Sequence, residues 1–360
     1  MILALETSCD DTAAALLDLD GKVILSRIAS QIDFHKAFGG VVPEIASRQH
    51  LKVLPLLVKH LLEESQTSLK DLTAIAVTQA PGLIGSVLVG VSYAKAMAWS
   101  LDIPLVPVDH LEGHLLAPFL DHPDLEFPYL ALIASGGHTH LLLAQGLGDY
   151  ELLGKTLDDA LGEAYDKTAK MLGFPYPGGP LIEQLAEHCP NPGIAFPIPL
   201  KGKKTLNFSF SGLKTAVRNQ AIKWEILVEK KELIDYHRFI QEVNKEKLLL
   251  IADVAASFQQ VVEKIVSQRI QQALKQFPVQ RIVLTGGVAA NQGLRRVLNE
   301  LAEKKGAGFF APSPHYCTDN AAMIGYTAHC YLKASPQGYP LDLFMNAASK
   351  SPLSRLESKE

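Results

Sequence analysis

A chain of 360 residues is too long for one compact core, so two domains are expected. Its 48% hydrophobic and 20% charged content is ordinary for a globular protein. A formal net charge of −4 argues against a broad basic surface coating nucleic acid and leaves room only for local basic strips. Those strips are Lys201–Lys204 with Lys214 and Arg218, and Arg295 with Arg296, and each also reads as a solvated face. The four cysteines, Cys9, Cys189, Cys317 and Cys330, form no CxxC pair, which argues against a zinc ribbon and a disulfide framework. No apolar run is expected to span a bilayer: Val87–Ala98 comes closest and is interrupted by Ser92 and Lys95. The N-terminus runs straight into a strand without a basic leader, so residence in the cytoplasm, away from membranes, is expected.

Three β-like runs open the chain, Ile2–Thr7, Thr12–Leu17 and Lys22–Ile28, with a hairpin turn at Asp18–Gly21. A helical pattern follows over about 44–64, then a buried-type strand at Ala74–Thr78, the turn Pro81-Gly82, and an apolar helix from about Ser86 to Ser100. The strand-like run Leu105–Val108 leads into Asp109-His-Leu-Glu-Gly-His114.

A second copy begins near Tyr129. Leu3–Leu5 matches Leu130–Leu132, Ser8 matches Ser135, and Thr12 matches Thr139. Downstream come a long helix over about 243–276, a strand at Arg281–Thr285, Gly286-Gly287, and a helix from about Asn291. The repeat predicts two lobes of like topology facing each other across a cleft. The expected division is 1–115 for the first lobe, rejoined by a C-terminal helix over about 320–345, and 116–319 for the second, with an insertion over about 156–240. The residues 346–360 read as a polar, frayed tail.

Three turns suit a phosphate. Thr7–Thr12 carries hydroxyls and carboxylates, Ser135–Thr139 carries two glycines, and Gly286-Gly287 lies between a strand and a helix. Each alone is also a plain hairpin or helix entry; together, in a duplicated unit, they resemble the actin, sugar kinase and heat-shock ATPase superfamily. No Walker-type loop is present. His110 and His114 share one face of a helix and can chelate one ion. Glu112 sits two residues after the first histidine, which turns it off the metal face and away from protease chemistry. Asp319, expected from the opposite lobe, completes a two-histidine, one-carboxylate set suited to iron(II), manganese or zinc. Thr318 or Asp319 reads equally as the N-cap of a helix beginning near Asn320.

The chain resembles the tRNA N6-adenosine threonylcarbamoyltransferase family in its bacterial TsaD form. The resemblance rests on Glu6–Thr12, Gly39–Glu44 with Ala46–Arg48, Pro81–Leu83, His110–His114, Ser135–Thr139, Gly162–Thr168, Tyr176–Pro180, Phe208–Thr215, Gly286–Asn291 and Cys317–Asn320, in order along the chain. It implies an α/β, duplicated actin-like (ribonuclease H-like), two-lobed fold with nucleotide and metal in the interlobe cleft. It implies one Fe(2+) per subunit on His110, His114 and Asp319. It implies substrate contacts at Ile133, Ala134, Ser135, Gly136, Gly137, Asp166, Gly179, Glu183 and Asn291, with Asp166 and Glu183 on ribose hydroxyls and Asn291 facing the adenine or its phosphate. Asp11 stands where many members have glutamate, and Asp10 or Asp11 is the candidate general base, the departing phosphate oxygen being another.

The implied reaction moves a threonylcarbamoyl group from L-threonylcarbamoyladenylate to N6 of adenosine 37 in tRNAs that read ANN codons, with release of AMP. Implied partners are tRNA, a metal-less paralogue of TsaB type pairing with the helices at about 44–64 and 86–100, and a small ATPase of TsaE type. Lys201–Lys204, Lys214 and Arg218 are expected on tRNA phosphates. The competing readings are a sugar or acetate kinase or other ATPase of this fold, a metalloprotease, and a non-catalytic scaffold.

Overall fold

The computed structural model describes residues 1–36, 38, 40–228, 236–335 and 339–351. Gly39 of the Gly39–Glu44 motif and the last nine residues of the expected tail lie outside the described residues. The chain divides into a first unit, Met1–Leu125 with Pro312–Glu360, and a second, Glu126–Ala311.

The first unit holds a sheet of β1 (Ile2–Glu6), β2 (Asp11–Leu17), β3 (Val23–Ser30), β4 (Ala74–Ala80) and β5 (Leu105–Asp109) in the order β3-β2-β1-β4-β5. The second holds β6 (Tyr129–Ala134), β7 (Thr139–Gly146), β8 (Asp149–Lys155), β9 (Arg281–Thr285) and β10 (Gly308–Phe310) in the order β8-β7-β6-β9-β10. The duplication extends to register. Leu3 pairs with Leu16 and Ile75, while Leu130 pairs with Leu143 and Ile282. Ile75 in turn pairs with Leu105, and Ile282 with Phe309. Register this close follows from the shared alternation of apolar residues, because a one-residue slip would turn every buried side chain to the wrong face.

In the first unit alternate residues go to opposite faces. Leu3, Leu5, Leu16, Ile75 and Val77 pack under the helices Pro43–Glu64 and Ile84–Leu101. Ile2, Ala4, Ala13, Ala15, Leu17, Ala74 and Ala76 face the helix Ala321–Ala334. The small residues on that second face let the helix approach closely. A β-carbon on Gly325 would lie 2.1 Å from Leu17 Cδ1 and 3.1 Å from Ala4 Cβ.

Three expectations need correction. The helix Ile84–Leu101 runs 18 residues with a mean hydropathy of 1.3, and is the one helix among the described residues long and apolar enough to cross a membrane by length and composition. It adds Ile84 and Leu101 to the run read from sequence, and one lysine does not lower the average enough. Its Val87, Val91, Ala94 and Ala98 are buried in the core. The C-terminal helix stops at Ala334 rather than continuing to 345. The described residues 339–351 are anchored rather than frayed: Leu341 bridges to Leu105, Met345 joins the core, Ala348 N donates to Gln79 O at 2.9 Å, and Ser351 Oγ donates to Asp109. Two apolar anchors outweigh the polar composition of this segment.

In the second unit the helix Lys245–Gln276 is started by Asn244, whose side chain accepts from Lys247 N, and buries Ile251, Val254, Phe258, Val262, Ile265 and Ile270 at helical spacing. Among the described residues, the helices Leu161–Met171, Gly178–Glu187 and Ser211–Lys223 fall in the expected insertion, and Tyr236–Glu242 crosses its end.

The close approach at Gly325 has a measurable consequence. Gly325→Val is expected to lower the unfolding free energy by about 1–3 kcal/mol through overpacking. Adding Leu17→Ala should recover part of that loss. A denaturation midpoint unchanged by Gly325→Val would contradict the packing described.

Candidate functional site

β5 ends at Asp109, whose side chain accepts from Leu111 N at 2.8 Å and Glu112 N at 3.3 Å and so starts the helix His110–Leu116. The four-residue spacing stacks His110 and His114 on one face, their ring centroids 4.7 Å apart. Glu112 points elsewhere, accepting from the Tyr331 hydroxyl at 2.9 and 3.0 Å. Asp319 Oδ1 lies 3.4 Å from His110 Nε2 and 3.2 Å from His114 Nε2. One donor atom from each of the three lies within 4.8 Å of the other two. The histidines are buried and the Asp319 side chain is 25% exposed. Two imidazoles and a carboxylate converging on one point, with access from one side, fit a divalent cation with open positions.

All three residues belong to the first unit, so Asp319 does not come from the opposite lobe as the sequence reading had it. The chain returns to the first unit at Pro312, before this aspartate. Asp319 is also not the N-cap. Asn320 accepts from Met323 N at 2.9 Å and caps the helix itself, which leaves the Asp319 carboxylate to the histidines.

Glu6, fully buried at the end of β1, accepts from His110 Nδ1 at 2.9 Å, from Thr78 Oγ1 and from Ser8 N. With Nδ1 donating to Glu6, His110 presents Nε2 as a ligand. Burial disfavours charge on Glu6 and Asp319, yet His110 between them prevails: Glu6 is held below and Asp319 well below the usual carboxylate range. Burial likewise opposes charge on His110, but the two carboxylates raise it well above the ordinary imidazole value. Burial dominates at His114 and lowers it.

The turn from β1 to β2 sits beside this centre and is held from several sides. Ser8 O accepts from Leu83 N at 2.8 Å and Asp10 O from Gln31 N at 3.1 Å. His50 Nε2 donates to Cys9 O at 2.9 Å, so its Nδ1 accepts from Thr12 Oγ1 at 2.8 Å. Asp11 Oδ1 is buried with no hydrogen-bond partner, and burial pushes its carboxyl up to about 6, assisted by the charges of Asp10, Asp319 and Glu6.

In the second unit Ile133 and Ala134 end β6, and the turn Ser135–Gly137 closes on itself, with Ser135 N donating to His138 O at 2.8 Å. Gly136 and Gly137 are exposed. Gly162 N donates to Ser135 O at 3.0 Å, placing the helix Leu161–Met171 against this turn. Asp166 on that helix accepts from Gly178 N at 2.7 Å, with its carboxyl raised by burial, and Gly179 has open space on its side-chain side. Gly286 has φ +88°, and a β-carbon there would lie 2.5 Å from Ala134 O. These contacts gather Ser135–Gly137, Asp166, Gly179 and Gly286 near the carboxyl ends of β6 and β9.

The phosphate reading of Gly286-Gly287 changes here. A short 3-10 turn, Gly287–Ala290, lies between Gly286 and the helix Gln292–Lys305. The first N–H groups of that helix are already taken: Gln292 N at 2.6 Å and Gly293 N at 3.2 Å donate to Glu183 Oε1, and Leu294 N at 2.8 Å donates to Asn291 Oδ1. A carboxylate occupies the place where a phosphate would gain most. Sequence reading assigned no role to Glu6 or to Gln259. An acid ending an otherwise apolar strand was the available signal for the first; a glutamine within a long amphipathic helix carries none.

A family model described as TsaD, tRNA N6-adenosine threonylcarbamoyltransferase, matches residues 22–326. The chain is 48% identical over 354 residues to the tRNA N6-adenosine threonylcarbamoyltransferase of Syntrophotalea carbinolica, covering 98% of this chain and 97% of that one. It is 47% identical over 357 residues to that of Trichlorobacter lovleyi, covering 99% and 98%. Among solved structures it is similar to HypF from T. kodakarensis, with a TM-score of 0.57 and 15% identity over 92% of this chain and 48% of that one, a likeness of fold alone. The fold is thus the duplicated actin-like α/β fold, and the chain belongs to the tRNA N6-adenosine threonylcarbamoyltransferase family.

Proposed function

We propose that this chain transfers a threonylcarbamoyl group from L-threonylcarbamoyladenylate to N6 of adenosine 37 of tRNA, with iron(II) on His110, His114 and Asp319, one ion per subunit. The observation that carries this reading is the buried His110–His114–Asp319 set with Glu6 behind it, in a chain of this family. His110, His114 and Asp319 would hold the ion, which would supply Lewis-acid polarisation of the transferred group.

The protein's own residues do the rest. Glu6 holds the Nδ1 proton of His110 and keeps its ring in place. Gly136 and Gly137 let the adenylate approach the backbone, and Asp166 with the free oxygen of Glu183 accepts from ribose hydroxyls. Asp11 is the better candidate base, because a carboxyl near 6 accepts a proton at neutral pH more readily than an ordinary one. A kinase is not favoured: Glu183 covers the helix terminus that a polyphosphate would use.

The paralogue of TsaB type is assigned to the outer face of Pro43–Glu64 and Ile84–Leu101, and an ATPase of TsaE type joins the assembly. Leu51, Leu56, Leu88 and Trp99 are exposed on these two helices, beside a groove of about 620 Å³ lined by Pro55, Leu62, Tyr93 and Met97. For tRNA, Lys201, Lys203 and Lys204 are exposed, but Lys214 is tied to Asp159, which also holds Lys167 at 2.6 Å. Lys170 and Arg218 line a groove of about 380 Å³ together with Lys167 and Lys214, and with Lys201, Lys203 and Lys204 they are assigned to tRNA phosphates.

His114→Ala should abolish both bound metal and tRNA modification while leaving the circular dichroism spectrum intact; full transfer by a metal-free variant would sink the reading. Charge reversal at Lys170 and Arg218 should weaken tRNA binding and reduce the salt slope by about 1 per residue; an unchanged slope would remove them from the interface. The raised Asp11 carboxyl favours the folded state when protonated, so its contribution is full at low pH and lost as pH rises through about 6. In metal-free protein, Asp11→Asn should therefore gain stability over the wild type, on the order of 2 kcal/mol above pH 7 and almost none near pH 4. Urea melts at the two pH values check this, and a pH-independent difference would contradict it.

A further inference from the structure

Gln259 lies on the inner face of the helix Lys245–Gln276 and is 8% exposed. Its amide uses every hydrogen-bonding capacity it has. Oε1 accepts from Tyr165 Oη at 2.7 Å and from Asn291 Nδ2 at 3.2 Å. Nε2 donates to Glu263 Oε1 at 3.0 Å and to Asn291 Oδ1 at 2.9 Å. Glu263, an acceptor only, fixes which end of the Gln259 amide is nitrogen. Leu294 N, a donor only, fixes the oxygen of Asn291 in the same way.

Of the four capacities of the Asn291 side chain, three are thereby spent. Its oxygen takes Leu294 N and Gln259 Nε2, and one Nδ2 hydrogen goes to Gln259 Oε1. One N–H donor remains. Tyr165, at the other end of the network, is the neighbour of Asp166 on the helix Leu161–Met171 and is held by an edge-to-face contact with Phe258. The space is closed as well: a β-carbon on Gly293 would lie 2.3 Å from Glu263 Oε1 and 2.6 Å from Gln259 Nε2.

We propose that Gln259 is a positioning residue of the nucleoside site: with Tyr165 it locks the Asn291 amide so that a single N–H is presented to an acceptor atom of the bound adenosine moiety, and ties that donor to the helix bearing Asp166. This rests on the assignment of Asn291 and Asp166 to the adenylate. Without Gln259 the Asn291 amide loses both side-chain hydrogen bonds that orient it and is free to rotate about its remaining bond to Leu294 N.

The test is calorimetric titration of AMP into the purified full chain, with melting temperature and tRNA affinity measured on the same samples. Gln259→Leu should raise the AMP dissociation constant about tenfold, the scale of one well-placed hydrogen bond, with tRNA affinity unchanged. Tyr165→Phe removes one bond of the network and should give a smaller rise, and the double variant should match Gln259→Leu alone, because both act through one amide. A steady-state KM for the adenylate that rises while the KM for tRNA stays fixed separates positioning from general loosening. If Gln259→Leu does not fold, Tyr165→Phe decides. Wild-type AMP affinity in a folded variant, or additive effects in the double, overturns the proposal. Failure of the wild type to bind AMP would instead remove the adenylate assignment on which it stands.

Discussion

A fully buried carboxylate at the end of β1 sets the constraint from which the first unit follows. Glu6 cannot keep its charge in an apolar sheet without a partner, and His110, Thr78 and Ser8 supply one. Because His110 is then oriented by Glu6, its other nitrogen is committed to the side where His114 and Asp319 meet. His110 lies between two carboxylates, which raise its affinity for a proton well above the ordinary imidazole value and offset only part of their own charge through it. Two carboxylates around one imidazole leave a net negative site, which favours a positive group there.

The second unit solves a different problem with the same chemistry. Its helix terminus at Gln292 would attract anions, and Glu183 satisfies it from within the protein. What stays open there is a set of glycines and half-satisfied acids suited to hydroxyls and ring edges. The duplicated scaffold therefore carries unlike groups on its strand ends: two imidazoles and a carboxylate in one copy, glycines and acids in the other.

Much of this was legible in sequence because the strands alternate cleanly. Ile2–Glu6 and Tyr129–Ala134 are apolar runs followed by polar turns, and their matched order exposed the repeat. The histidine pair was legible because four-residue spacing has one meaning on a helix. What escaped depends on partners distant in the chain. Thr318 and Asp319 both read as caps, and only the backbone decides that Asn320 caps while Asp319 turns to residues more than two hundred positions away. Met345 and Ser351 sit in a polar stretch, and their burial is set by Asp109 and the core beside β4. Gln259 looks like any solvated helix residue until Tyr165 and Asn291 arrive on either side of it.

The first unit is discontinuous, closed by residues after Pro312. Its cation centre therefore has two ligands made early in translation and a third made near the end. Until the segment carrying Asp319 and the helix Ala321–Ala334 has left the ribosome and docked on the alanine-rich face of the sheet, His110 and His114 are a two-point site with little hold on any ion. The three-residue set is thus complete only when the chain itself is nearly so, and a product truncated before Asp319 carries two of its three members.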